Sequence, residues 1–173
     1  GPDTPFPLGH IQSQGRTHGV MAQTVVPLIP LSWYDWWVAR GVDWLAMSED
    51  LPSVDNRVTV DAGDRIHLAY RPNNVRAHRM LVAEARRILH RLGFWLVMTH
   101  SHGSRNTTHQ CGTVVFGTDP HESVLDSYCR SHDVENLFVV DGSFFPSSAA
   151  VNPALTIAAQ ALRYRAIRAL GDR

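Results

Sequence analysis

The stretch from Leu137 to Leu170 constrains the fold more than any other part of this sequence. Leu137-Phe138-Val139-Val140 is apolar throughout. A strand of that kind is covered on both faces, as in a parallel sheet, rather than alternating between core and solvent. It ends at Asp141-Gly142-Ser143; a loop of small residues follows, and Asn152-Pro153 opens a final helix expected to reach about Leu170. Asparagine is a preferred helix cap, and proline is pre-organised for the first helical position. Ala158, Ala159, Ala161 and Ala166 make this helix narrow enough to pack closely on a sheet. Strand, glycine turn and helix in that order point to an α/β arrangement, in which ligands gather beyond the carboxyl ends of the strands.

Upstream, the pattern is antiparallel. Apolar and polar residues alternate over Asn56–Val60 and Arg65–Tyr70 around Asp61-Ala62-Gly63-Asp64, which predicts a β-hairpin. Asn73-Asn74 offers the cap of a helix from Val75 to Leu92, stopped by Gly93. Val75, Leu81, Ile88, Leu89 and Leu92 give that helix one apolar face, while Arg76, Arg79, Arg86, Arg87 and Arg91 read as its solvated face. Phe94–Met98 reads as a short buried strand. Trp33, Tyr34, Trp36, Trp37 and Trp44 read as packing, in the core or on another domain, with the wall of a sugar site as the alternative. Residues 1–30 are rich in proline and glycine and are expected to be extended chain and turns, with Val25–Ile29 an edge strand at best. The organisation expected is therefore an extended segment, 1–30, leaning on a partner outside the chain. A sheet-and-helix portion follows at 31–107, and a chemically loaded end at 108–173.

Composition removes several function classes. Sixteen basic residues balance sixteen acidic ones, so no net field recruits nucleic acid. All the bases are arginine, which excludes a Schiff-base lysine and a P-loop lysine together. Two cysteines are too few for a disulfide framework or a four-thiolate zinc site. The longest apolar runs fall far short of a membrane span. A soluble chain is expected, its compartment open with the cytoplasm favoured.

Two segments carry chemistry. His109, beside Gly112 on a polar loop, is a candidate general base because an imidazole titrates near pH 6.5. Asp141-Gly142 at a strand end is a place where backbone approaches a polar ligand closely. The helix start at Asn152-Pro153 presents free N–H groups and a positive dipole end to an anion or electron-rich ring edge. His100-x-His102 with His109 offers three imidazoles, but no recognised ligand spacing completes them, and no metal is expected. Cys111 reads as a packing residue.

Taken in order, His109-Gln110-Cys111-Gly112-Thr113, Phe116-Gly117-Thr118-Asp119-Pro120, Ser123–Asp126, Asn136–Ser143, Phe145-Pro146 and Asn152–Thr156 resemble the C-terminal signature of the glucose–methanol–choline (GMC) oxidoreductases. Ser48–Pro52 and Asn56–Val60 extend the likeness more loosely. The resemblance implies an FAD-dependent oxidoreductase acting on an alcohol or sugar. His109 would take the hydroxyl proton while a hydride passes to the flavin, and Asn152 would hold the substrate oxygen. Asp141 and Gly142 would contact the ribityl–pyrophosphate part of FAD; Asn152, Pro153 and Thr156 would lie at the flavin's pyrimidine edge.

The fold class implied is α/β (α+β): the C-terminal part of an FAD-binding Rossmann-like domain with an antiparallel-sheet-and-helix substrate domain. The G-x-G-x-x-G of the family's N-terminal dinucleotide unit does not occur in these residues. That unit is expected on a second chain or otherwise missing, so the 173 residues are expected neither to bind FAD well nor to turn over alone. The competing readings are an idle remnant or binding subunit, and a lyase that keeps FAD as a structural group.

Overall fold

A computed structural model describes residues 8–16, 28, 30–101 and 109–171, the last stretch by backbone alone from 166. In chain order the elements are β1 (His10–Gly15), α1 (Leu31–Val38), β2 (Asp43–Met47), β3 (Arg57–Val60), β4 (Ile66–Ala69), α2 (Val75–Arg91) and α3 (Ala154–Gly171), with a 3-10 turn at Gly142–Phe144.

β1 and β2 pair antiparallel, His10 opposite Met47 and Ser13 opposite Trp44, with a bulge before Gly15. Gly15 takes φ +74 there, a conformation that suits a bulge glycine. Gly9 lets the chain enter β1 against Met47, because a Cβ at that position would overlap the Met47 carbonyl. Part of the proline- and glycine-rich segment is thus paired inside the chain. Most of the expected edge strand Val25–Ile29 lies outside the described residues.

The expected hairpin is β3 and β4, with Val58 opposite Leu68 and Val60 opposite Ile66. The Asp61 carboxylate closes its turn by accepting the N–H groups of Gly63 (2.8 Å) and Arg65 (3.1 Å). Asp64, rather than Gly63, takes the left-handed position at φ 58; aspartate is among the residues that visit it at modest cost.

α2 ends one residue earlier than expected and lies against β2. Gly93 adopts φ +94, its N–H bonding the His90 carbonyl (3.0 Å) while Phe94 N–H bonds that of Leu89 (3.1 Å). This is the paired bond pattern by which a left-handed glycine satisfies the last carbonyls of a helix. Asn74 occupies the cap position, yet its side chain makes no cap bond and reaches instead to the Glu49 carbonyl (2.6 Å).

The innermost packing lies under residues 114–157. Leu125, Cys129 and Phe144 are fully buried, with Val114, Val139, Val140, Phe145 and Ile157 against them. Along α3, Ile157 joins that cluster, Gln160 donates to the Cys129 sulfur (3.1 Å) and Tyr164 stacks on Phe138 (4.6 Å between centroids). Those three positions, spaced i, i+3 and i+7, form one helical stripe. Ala158 and Ala159 lie outside it and are exposed.

Two expected strands do not form. Leu137–Val140 makes only a bridge between Phe138 and Arg130, and Leu137 is exposed. An all-apolar strand needs ladder partners on both flanks; this segment has one short partner, residues 129–131, through the bonds Ser131 N–H to Leu137 carbonyl and Val139 N–H to Cys129 carbonyl (2.9 Å each). Phe94–Met98 is irregular and mostly exposed, Trp95 reaching 88 %. The aromatic cluster divides as well: Tyr34 is buried, whereas Trp33, Trp36, Trp37 and Trp44 are exposed. Arg40 lies over the Trp36 ring at 4.4 Å. No helix among the described residues is long and apolar enough to cross a membrane.

Candidate active site

Gly142 organises the site. A Cβ at this position would stand 2.9 Å from the Gln110 carbonyl oxygen and 3.7 Å from Ile157 Cδ1. The missing side chain therefore lets three segments meet: the loop carrying His109, the Asp141–Phe145 turn and the first turns of α3. Backbone bonds fix the first two together, since the Ser143 carbonyl accepts from Gly112 N–H (3.1 Å) and Val114 N–H (3.2 Å). Of the residues singled out in the sequence, Asp141 and Gly142 are thus brought against the His109 loop, with the helix start alongside.

His109 is half-buried with φ 61. A left-handed conformation costs a non-glycine residue about 1–2 kcal/mol, and it concentrates at functional sites. The strain is not diagnostic by itself, because the core residue Cys129 has φ 63. No hydrogen bond ties the His109 ring or the Asn152 amide to another described residue. Asn152 and Thr156 are exposed on either side of the α3 start. Pro153 stands one position before the expected one: it precedes the helix, and its carbonyl accepts the Ile157 N–H (3.0 Å).

The donor set fits a flavin dinucleotide. The first turn of α3 holds no acidic residue, which leaves its N–H groups and dipole free for an electron-rich edge. The Asp141 carboxyl sits below the usual carboxylate range because Ser143 donates to it from both hydroxyl and N–H, keeping it an ionised acceptor for sugar-like hydroxyls. Cys111 is held as a thiol: burial, then the charge of Asp50, push it up. That suits packing and not nucleophilic attack. His102 lies outside the described residues, so its grouping with His100 and His109 is not placed.

Sequence reading passed over the residues that hold the loop before Asn152. Glu49 accepts the Ser147 hydroxyl (2.8 Å), the Asp50 carbonyl accepts Ser148 N–H (3.3 Å), and His10 Nδ1 meets the Ala150 carbonyl. The signal was there in the Ser48–Pro52 motif, an acidic pair ahead of a proline, but its partner lies 98 residues away.

A half-buried histidine on a strained loop, an acidic glycine turn and a helix start with no acidic residue in its first turn thus converge at one glycine. The chain belongs to the GMC oxidoreductase family, whose C-terminal family model matches residues 52–161. It is 34% identical over 123 residues to 6'''-hydroxyparomomycin C oxidase of Streptomyces lividus, covering 66% of this chain and 22% of that protein. Over 142 residues it is 32% identical to the fructose dehydrogenase large subunit of Gluconobacter japonicus, covering 72% and 24%. Among solved structures it resembles pyridoxine 4-oxidase from Mesorbium loti, with TM-score 0.50 and 25% identity over 72% of this chain and 28% of that one. The chain spans less than a quarter of the length of these two curated relatives.

Proposed function

We propose that this chain is the catalytic C-terminal part of an FAD-dependent oxidoreductase that oxidises the CH–OH group of an alcohol or sugar. The observation that carries the reading is the junction at Gly142, which sets the His109 loop against the Asp141 turn and the α3 start. Residues 31–107 act as part of the substrate-binding portion and 108–173 as part of the flavin-binding one.

His109 takes the substrate hydroxyl proton on a ring nitrogen, and the Asn152 amide donates to the same oxygen and orients it. FAD, when bound, supplies the acceptor for the hydride leaving the carbinol carbon. Asp141, Gly142, Asn152, Pro153 and Thr156 are the residues that would hold it. A general base of this kind is worth about 10²–10⁴-fold in rate.

The nucleotide cradle comes from the N-terminal portion of the enzyme, on the same polypeptide or a second one. The exposed apolar surface supports this: Leu155, in the first turn of α3, is 83 % exposed, and the Val58, Val60, Ile66 and Leu68 face of the hairpin is open. A lone two-stranded hairpin with an uncovered apolar face is marginal in water.

His109→Ala in the flavin-loaded, full-length enzyme tests the reading. Turnover of the alcohol should fall at least about a hundredfold with flavin content unchanged. An unaltered rate removes His109 from the chemistry.

A further inference from the structure

The loop between Pro146 and Asn152 is Ser147-Ser148-Ala149-Ala150-Val151. Such small side chains provide little packing to hold a conformation, so hydrogen bonds to other parts of the chain must do it. Among the described residues, the long-range bonds of this loop go to residues of, or just beyond, the β1–β2 sheet. The Ser147 hydroxyl donates to Glu49 Oε1 (2.8 Å), Ser148 N–H donates to the Asp50 carbonyl (3.3 Å), and the Ala150 carbonyl meets His10.

The Ser48–Leu51 segment is itself braced from several directions. Asn74 donates to the Glu49 carbonyl (2.6 Å), Asn73 to that of Leu51 (2.6 Å), and Tyr70 to the Asp50 carboxylate (2.7 Å). Ser48 Oγ pairs with His78 Nδ1 (3.1 Å). α2 and the hairpin thus hold the segment, and the segment holds the loop. A hydrogen bond to a carboxylate is roughly twice as strong as a neutral one, which makes Glu49–Ser147 the strongest of the three bonds that reach the loop itself.

We propose that Glu49, acting through Ser147 with Asp50 beside it, is a positioning residue for Asn152. The carboxylate fixes the loop five residues before Asn152, and so sets where the Asn152 amide meets the substrate oxygen. The proposal rests on the role given to Asn152 above. It also gives the substrate-binding portion a direct hold on the geometry of the flavin-binding portion, through a contact between residues 98 positions apart.

The test uses the flavin-loaded full-length enzyme and two readouts. Hydrogen exchange of the 147–152 amides should quicken about tenfold in Glu49→Ala and in Ser147→Ala, and no further in the double variant, because both remove one bond. Glu49→Gln keeps the acceptor oxygen and should retain slow exchange. Turnover efficiency should fall about tenfold in Glu49→Ala and be restored in Glu49→Gln. In an Asn152→Ala background, Glu49→Ala should cost less than about twofold further. Should Glu49→Ala fail to fold, Ser147→Ala, which deletes a single hydroxyl, carries the same comparison. Unchanged exchange in both single variants overturns the positioning role whatever happens to turnover. Quickened exchange together with full activity of Asn152→Ala overturns the role of Asn152 instead.

Discussion

Gly142→Ala is the sharpest perturbation of the site. The added Cβ falls 2.9 Å from the Gln110 carbonyl oxygen. Heavy atoms rest at about 3.5 Å or more, so the two backbones must part by about half an ångström. The atom in the way is main chain, and no rotamer change relieves it. The bonds that span the same gap, Gly112 N–H and Val114 N–H to the Ser143 carbonyl, start at 3.1 and 3.2 Å. Stretched by that amount they pass about 3.6 Å, beyond a useful hydrogen bond. Two such bonds are worth about 1–3 kcal/mol together, the same order as an overpacked methyl in a tight core. The His109 loop moves with them. Since a displacement of about 1 Å costs a reacting pair about 10²-fold, half of that predicts about a tenfold loss of turnover. Urea midpoints and single-turnover flavin reduction in the full-length enzyme measure the two effects. A variant with wild-type midpoint and rate would mean that the gap has slack and that Gly142 does not set the geometry.

Two further outcomes follow from the same structure. Tyr70 is pushed up to about 12, first by burial and then by its bond to and the charge of Asp50. An unfolded tyrosine ionises near pH 10, so the advantage of the fold is complete below about pH 10 and lost as pH rises toward about 12. With solvent screening at this half-exposed phenol, the loss should be about 1 kcal/mol; Tyr70→Phe should flatten it in urea midpoints taken from pH 9 to 12, and identical slopes in the two proteins would refute the assignment. FAD titrated into the isolated 173-residue chain should neither bind tightly nor support dye reduction, and tight binding with turnover would show that this chain carries its own nucleotide cradle.

What the sequence made legible was local. The hairpin, α2 and its glycine stop, and α3 all follow from periodicity and punctuation within a dozen or so neighbouring residues, and each forms within a residue or two of its expected bounds. What failed were elements whose existence depends on neighbours distant in sequence. Leu137–Val140 has the composition of a sheet strand, but composition cannot supply ladders on both flanks, and with residues 129–131 alone beside it among the described residues it makes one short bridge. Phe94–Met98 fails for the same reason. Asn74 marks the difference within one residue: its position as a cap was readable, whereas the use of its side chain on Glu49 was not. The candidate site divides in the same way. Its residue types were visible by resemblance, but the convergence at Gly142 and the Glu49–Ser147 tie are long-range facts.

That division bears on how the site is built. A catalytic constellation is usually held by a packed shell behind it, but here much of the surrounding apolar surface is open, and the buried cluster is small. The segments that carry His109 and Asn152 are nevertheless located, by backbone bonds to Ser143, by the close approach at Gly142 and by the bonds of the Ser48–Leu51 segment. Hydrogen-bond ties of this kind specify position without requiring a completed core. On the function proposed here, the proton-handling geometry is therefore set within this chain, and what the nucleotide-binding portion adds is the FAD cradle and the burial that excludes water around groups already in place. This ordering predicts that loss of the remote portion should impair FAD affinity before it disturbs the bond from Gly112 N–H to the Ser143 carbonyl.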